Sequence, residues 1–106
     1  MSRSYNMTII VRKVDPARME AVRETAQLCW DFDDWFPLAG EDGQRASGYG
    51  NLCGGEQEHE FADRLAQEIW AANGGYCEVE VRALYLDDLP YESYSFDEDD
   101  FAQVTA

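Results

Sequence analysis

Acidic and aromatic side chains are interleaved over residues 84–101, LYLDDLPYESYSFDEDDF, and no lysine or arginine follows Arg82. A run of carboxylates alone is typical of a solvated tail, whereas a run of aromatic residues alone is typical of a core strand. The mixture indicates a stretch that is ordered and still exposes negative charge. We therefore expect an anionic surface that contacts a partner.

The net charge of the chain favours the same interpretation. Eight basic and 22 acidic residues give −14, and residues 31–106 carry 19 of the acidic groups against three basic ones. This charge exceeds what solubility requires, and its self-repulsion destabilises the compact state. It argues against direct binding of nucleic acid and of anionic membranes, because both depend on Lys and Arg.

Length and composition predict one domain spanning residues 1–106, with residues 97–106 as a candidate frayed tail. Apolar residues make up 45% of the chain, which is enough for a packed core. Three cysteines, no signal-peptide pattern and no apolar run of about 18 residues predict a reduced, cytoplasmic protein without a membrane span.

Hydrophobic periodicity predicts three strands and two amphipathic helices. The predicted strands are residues 5–14, 76–86 and 91–96, with a turn at 87–90, and the predicted helices are residues 15–30 and 56–73. The first helix begins at Asp15-Pro16, because Asp caps a helix and Pro is tolerated in its first turn.

Residues 31–55 are irregular and rich in glycine, and a short edge strand at 46–53 is the one element we expect there. The predicted fold is α+β, a small antiparallel sheet of three or four strands packed against two helices in the order β-α-(β)-α-β-β. This order differs from the ferredoxin-like βαββαβ order, although a relative of that fold is compatible with it.

Carboxylates that recur along a strand or helix lie about 6.6 or about 5.4 Å apart, and so imitate a row of phosphates. The residues expected to bind a partner are Asp31, Asp33, Asp34, Trp35, Glu78, Glu80, Asp87, Asp88, Tyr91, Glu92, Tyr94, Asp97, Glu98, Asp99 and Asp100. A further acidic cluster lies in the second predicted helix and comprises Glu56, Glu58, Glu60, Asp63 and Glu68.

Two alternatives assign these residues no binding role. The acidic surface is passive in the first. In the second, the aromatic cluster of Trp30, Phe32, Trp35 and Phe36 packs in the core instead of forming a binding platform.

The sequence contains no pattern that indicates catalysis or a metal site. There is one histidine, and neither a nucleophile elbow nor a phosphate-binding loop is present. Cys53 and His59 lack the paired spacing of zinc ligands, and Phe36 occupies the position where a calcium loop starting at Asp31 needs glycine. We therefore expect no catalytic residues, no metal and no cofactor.

In size, charge and segments such as DFDDW (31–35) and SFDEDD (95–100), the chain resembles the small acidic inhibitors of host defence that phages and plasmids encode. These anti-CRISPR and anti-restriction proteins include DNA mimics. The resemblance covers no sequence signature and transfers no residue role.

The resemblance implies a role in host–virus interaction. The expected function is non-enzymatic inhibition by protein–protein interaction, in which the chain, as a monomer or homodimer, blocks a basic nucleic-acid-binding protein or complex. The alternative is a small interaction module, such as an antitoxin or assembly adaptor, that uses the aromatic cluster.

Overall fold

The computed structural model describes residues 3–40, 42–52, 56–85 and 92–105. The strands are β1 (Arg3–Arg12), β2 (Asp33–Pro37), β3 (Gln44–Leu52), β4 (Glu78–Tyr85) and β5 (Glu92–Phe96). The helices are α1 (Met19–Cys29), which follows a 3₁₀ turn at Pro16–Arg18, α2 (Glu58–Asn73) and α3 (Glu98–Thr105). The α+β class is thus confirmed, but with five strands and three helices.

All five strands form one antiparallel sheet in the order β2-β3-β1-β4-β5. Up to β4, both the element order and the strand order are those of the split βαβ, ferredoxin-like arrangement. β5 and α3 extend it. The predicted element order was therefore incomplete, because it lacked β2 and α3. The strand expected at 46–53 is not an edge strand, since β3 lies between β2 and β1.

Two glycines of β3 explain why the sequence predicted only a short edge strand at 46–53. A Cβ on Gly48 would overlap the carbonyl oxygen of Asp31, and one on Gly50 would lie 2.7 Å from the Trp30 ring. The indole of Trp30 donates a hydrogen bond of 3.0 Å to the Gly48 carbonyl. Glycine weakens a strand prediction, but it is required at these two positions because the chain leaving α1 crosses closely over β3.

α1 and α2 cover one face of the sheet. Inward side chains of β1 (Tyr5, Met7, Ile9 and Val11) are fully buried against α2 residues such as Leu65. A capping box between Gln57 and Glu60 begins α2, and Gly74 ends it with φ 77°. The stripe at i, i+4 spacing that predicted this helix is its buried face.

α3 lies where the sequence offered only a candidate frayed tail. The Phe101 ring packs edge-on against Trp70 at 5.2 Å and against Tyr76 at 5.9 Å. Phe101 therefore anchors α3 beside α2. A helix of eight residues has little stability of its own, so this packing holds it.

The opposite side of the sheet is covered by none of the described helices, and we call it the open face. Its residues alternate with the helix-facing ones along each strand. On the three central strands they include Asn6, Thr8, Ile10, Arg12, Arg45, Ser47, Tyr49, Glu78, Glu80, Arg82 and Leu84.

Candidate anionic interaction surface

Helices and strands differ sharply in charge. The three α-helices carry nine acidic residues against two basic ones, Arg23 and Arg64. The five strands carry five acidic residues against four arginines. Within the described elements, the negative charge therefore lies on the helical layer.

Seven of the nine helical carboxylates are exposed, and we call them the helical anionic surface. They are Glu20, Glu24, Glu60, Asp63, Glu68, Glu98 and Asp99. Glu60 and Glu68 are two turns apart on α2, which separates them by about 12 Å along the helix axis. The helix therefore fixes the distance between these carboxylates.

The two basic residues of the helices are already engaged. Arg64 forms an ion pair with Glu56, with 3.0 Å between Nε and Oε2. Hydrogen bonding to Glu56 raises the pKa of the Arg64 guanidinium, while partial burial opposes that rise. The guanidinium of Arg23 lies over the Trp35 ring, 5.6 Å from its centre. Arg64 is thus paired with a carboxylate, whereas Arg23 keeps its positive charge over the ring, and the helices remain strongly net negative.

Glu58 differs from the other α2 carboxylates, because it is half-buried and structural. Its Oε1 accepts a 2.6 Å hydrogen bond from the Tyr5 hydroxyl, and its Oε2 accepts a 3.2 Å bond from the Tyr94 hydroxyl. Tyr94, an expected partner-binding residue, therefore points to the helix side of β5 and contacts the core.

Asp31, Asp33 and Asp34 are exposed at the edge of the sheet around β2, and Asp34 adopts φ 53° at an irregularity in the pairing of this strand. Trp35, next to them, is half-buried, and its indole donates a 2.9 Å hydrogen bond to the Gln27 side chain.

The aromatic cluster is divided between the core and the surface. Trp30 and Phe32 belong to the core, whereas Phe36 is 60% exposed. Core packing thus accounts for Trp30 and Phe32, and Phe36 alone stands out on the surface.

Glu78 and Glu80 lie on the open face, where arginines neutralise them. Arg82 Nε donates to Glu80 Oε2 at 2.6 Å, and Arg12 Nη1 lies 3.8 Å from Glu78 and 3.9 Å from Glu80. These two expected partner-binding carboxylates are thus separated from the helical anionic surface and paired within the sheet.

The acidic run 97–100 builds the start of α3. The Asp97 side chain accepts from the Asp100 amide at 3.1 Å, and the Asp100 side chain accepts from the Asp97 amide at 3.0 Å. The hydrogen bond from the Asp100 backbone is the largest cause that holds the pKa of Asp97 below its ordinary value. Glu98 and Asp99 remain exposed.

Four of the expected residues cannot be placed on a surface. Asp87, Asp88 and Tyr91, with the turn expected at 87–90, lie outside the described residues, as does the Glu92 side chain. The structure therefore divides the predicted set among the sheet edge, the open face, the core and α3.

Burial governs the chemistry of the two cysteine thiols that the structure describes. Burial raises the pKa of the Cys77 thiol to about 11, and burial is also the main reason that the pKa of Cys29 is raised. Both thiols are thus protonated and weakly nucleophilic near neutral pH. The described residues contain no group of three His, Cys, Asp or Glu side chains arranged to hold a metal ion.

Sequence reasoning placed no α1 or α2 carboxylate in the predicted site. Glu60, Asp63 and Glu68 were recognised only as a separate cluster. The signal that identifies them is their position on the polar side of α2, away from the buried stripe through Phe61 and Leu65. Tyr49 on β3 was missed as well, because the strand itself was placed uncertainly.

No family model matches the sequence, and no similar protein is found among curated proteins or solved structures. In the described part of the chain, no helix is sufficiently long and apolar to cross a membrane.

Proposed function

We propose that this protein is a non-enzymatic inhibitor that uses its helical anionic surface to bind and block a basic, nucleic-acid-binding surface of another protein. The observation that carries the proposal is the segregation of charge, with nine acidic and two basic residues on the α-helices. Anti-CRISPR and anti-restriction proteins of the DNA-mimic type are the kind of inhibitor that such a surface fits.

Electrostatics explain how the surface would act. Its seven carboxylates are exposed and outnumber the two arginines of the α-helices, one of which is already paired with Glu56. A basic partner is drawn in over roughly 8 Å, the screening length at physiological salt, and binds in place of the phosphates it normally contacts. The inhibitor and nucleic acid therefore compete for the same arginines and lysines.

Affinity purification with competition tests the proposal. The immobilised protein captures proteins from a bacterial lysate, and duplex DNA, structured RNA or increasing salt is then used for elution. We expect the captured proteins to be nucleic-acid-binding proteins that are released by the nucleic acid and by salt. Capture that neither nucleic acid nor salt reverses would overturn the proposal.

Variants that remove equal charge from different places show whether binding depends on the location of the carboxylates or only on the net charge. Glu60→Gln, Asp63→Asn and Glu68→Gln together remove three charges from α2, and we expect about a tenfold or greater loss of binding. The control removes three exposed charges outside the helices, by the substitutions Asp31→Asn, Asp33→Asn and Asp42→Asn. It should retain binding within about threefold. Equal losses would show that only net charge matters.

A further inference from the structure

The open face is chemically unlike the helical layer. Its strands carry five acidic and four basic residues, so the sheet is close to electroneutral in a chain of net charge −14. Arg45, exposed on this face, forms no ion pair with a described residue. Another molecule of equally negative charge meets least repulsion here.

Large aromatic side chains are exposed on the same face. Tyr49 is 68% and Phe36 is 60% exposed, and Phe36 lies opposite Arg45 in the pairing of β2 with β3. Beside them is a depression of about 190 Å³ lined by Asn6, Thr8, Arg45, Arg82 and Leu84. Exposed tyrosine and arginine around an apolar residue are enriched at protein–protein interfaces.

The strand register makes this face complementary to itself. Ile10 of β1 lies opposite Arg45 on one side and opposite Glu80 on the other. A two-fold axis running along β1 above Ile10 exchanges the two flanks of the sheet. It therefore lays Arg45 over Glu80 of the partner subunit, and Glu80 over Arg45 of the partner subunit.

The neighbouring row of the sheet obeys the same symmetry. Asn6 lies opposite Tyr49 in β3 and opposite Leu84 in β4. The same axis places the Tyr49 ring against Leu84 of the partner subunit. At the centre, Oδ1 of Asn6 is buried without a hydrogen-bond partner among the described residues. If the side chain turns outward, the two carboxamides meet across the axis, and each can accept a hydrogen bond from the other.

The geometry points to a homodimer in which two copies of this chain pack their open faces together about a two-fold axis along β1. Arg45 approaches Glu80 of the partner subunit, a carboxylate that Arg82 already pairs within its own sheet, and Tyr49 with Leu84 forms the apolar contacts. Such an interface is isologous, since the same patch serves both copies. The helical layers then face outward on opposite sides, so one dimer presents two anionic surfaces. The dimer does not depend on the proposed inhibitory function.

The size of the face makes the dimer weak. Five strands about 4.8 Å apart and residues about 3.4 Å apart give a face of roughly 20 by 25 Å, or about 500 Å² per copy. Two copies bury on the order of 1,000 Å², the lower limit for a specific interface. We therefore expect a weak dimer that dissociates on dilution.

Salt affects this dimer in the opposite direction from binding to a basic partner. At low ionic strength the net negative charges of the two copies repel each other, because the screening length is about 30 Å at 0.01 M salt. At 0.15 M it falls to about 8 Å, which removes most of that repulsion but leaves the close contacts. Dimerisation should strengthen several-fold between these salt concentrations.

Sedimentation equilibrium of the full chain from about 1 to about 500 µM tests the dimer. We expect a reversible monomer–dimer equilibrium that tightens between 0.01 and 0.15 M salt. Arg45→Glu and Tyr49→Ser should each weaken it about tenfold or more, because one creates like-charge contacts with Glu80 and the other removes an aromatic contact.

Two control variants carry matched changes on the helical side. Arg18→Glu alters the net charge as Arg45→Glu does, and Leu28→Ser removes an apolar side chain that is 89% exposed on α1. Both controls should leave the dimer unchanged within about threefold. Thermal unfolding establishes that each variant is folded. A wild-type protein that stays monomeric throughout, or a dimer that Leu28→Ser weakens and Tyr49→Ser does not, would overturn the inference.

Discussion

The hydroxyl of Tyr5 donates a hydrogen bond to the carboxylate of Glu58, with 2.6 Å between Oη and Oε1. Tyr5 is fully buried on β1, and Glu58 is the first residue of α2. Tyr94 of β5 donates to the other carboxylate oxygen. One acidic side chain thus ties the start of α2 to two strands, and it serves the fold instead of the anionic surface.

Tyr5→Phe should lower the free energy of unfolding by about 1.5–3 kcal/mol, because it removes a hydrogen bond to a charged group at a buried site. Tyr94→Phe should cost less, since its bond is 3.2 Å long and Tyr94 is only partly buried. Denaturant unfolding measures both changes. Tyr49→Phe, on the exposed Tyr49, is the control and should leave stability unchanged. If Tyr5→Phe behaves like that control, the role assigned to Glu58 is wrong.

Gly48→Ala and Gly50→Ala should each destabilise the protein by roughly 2 kcal/mol or more, because the new methyl group meets backbone at Asp31 or the ring of Trp30. Gly75→Ala is the matched control, since a Cβ there meets no atom within 4 Å. Thermal or denaturant unfolding compares the three variants. Equal stability of all three would contradict the close crossing over β3.

Most of the fold was predictable where apolar residues recur with a clear period. The alternation of Val79 and Val81 identified β4, and the stripe through Leu65 identified α2. β3 was reduced to an uncertain edge strand because Gly48 and Gly50 interrupt its pattern. These glycines are required because Trp30 packs directly against β3. Trp30 is distant from β3 in the sequence, so no local sequence pattern indicates this contact.

Asn73→Ala should lower stability by about 2–4 kcal/mol, because it leaves several backbone groups unsatisfied. The Asn73 side chain accepts from the Asp15 amide and donates to the carbonyls of Gly75 and Tyr76. It therefore joins the turn after β1 to the end of α2. Gln67→Ala, at an exposed α2 position, is the control, and similar losses for both variants would contradict this role.

The stability of α3 should depend on acid pH through Asp97. Its pKa is lowered in the folded chain, so its contribution is complete above the ordinary carboxyl pKa of about 3.9 and is lost as pH falls through the folded value. Amide exchange should show α3 protected near neutral pH and opening below about pH 4.

Asp97→Asn separates this titration from the general effect of acid. Asn is also a good N-cap residue but does not ionise, so α3 should stay capped while the Asp97-dependent part of the pH response disappears. The same pH response in Asp97→Asn and in the wild type would contradict the assignment.

The candidate site was harder to predict than the fold, because the sequence position of a carboxylate does not show which other charged side chains lie beside it in the folded chain. The alternation of β4 correctly placed Glu78 and Glu80 on one face. It gave no indication that Arg12 lies opposite Glu78, because the register of β1 with β4 follows from the whole sheet. The sequence likewise predicted that Tyr94 binds a partner, whereas in the structure its hydroxyl donates a hydrogen bond to Glu58.

Carboxyl footprinting of the protein with and without a captured basic partner tests the central claim most directly. Carbodiimide-coupled labelling and mass spectrometry report the reactivity of each acidic side chain. We predict that the partner protects Glu60, Asp63 and Glu68 on α2, whereas Asp33 and Asp34 at the sheet edge stay as reactive as in the free protein. Protection of the sheet-edge carboxylates with unchanged labelling of α2 would contradict the helical anionic surface as the binding site.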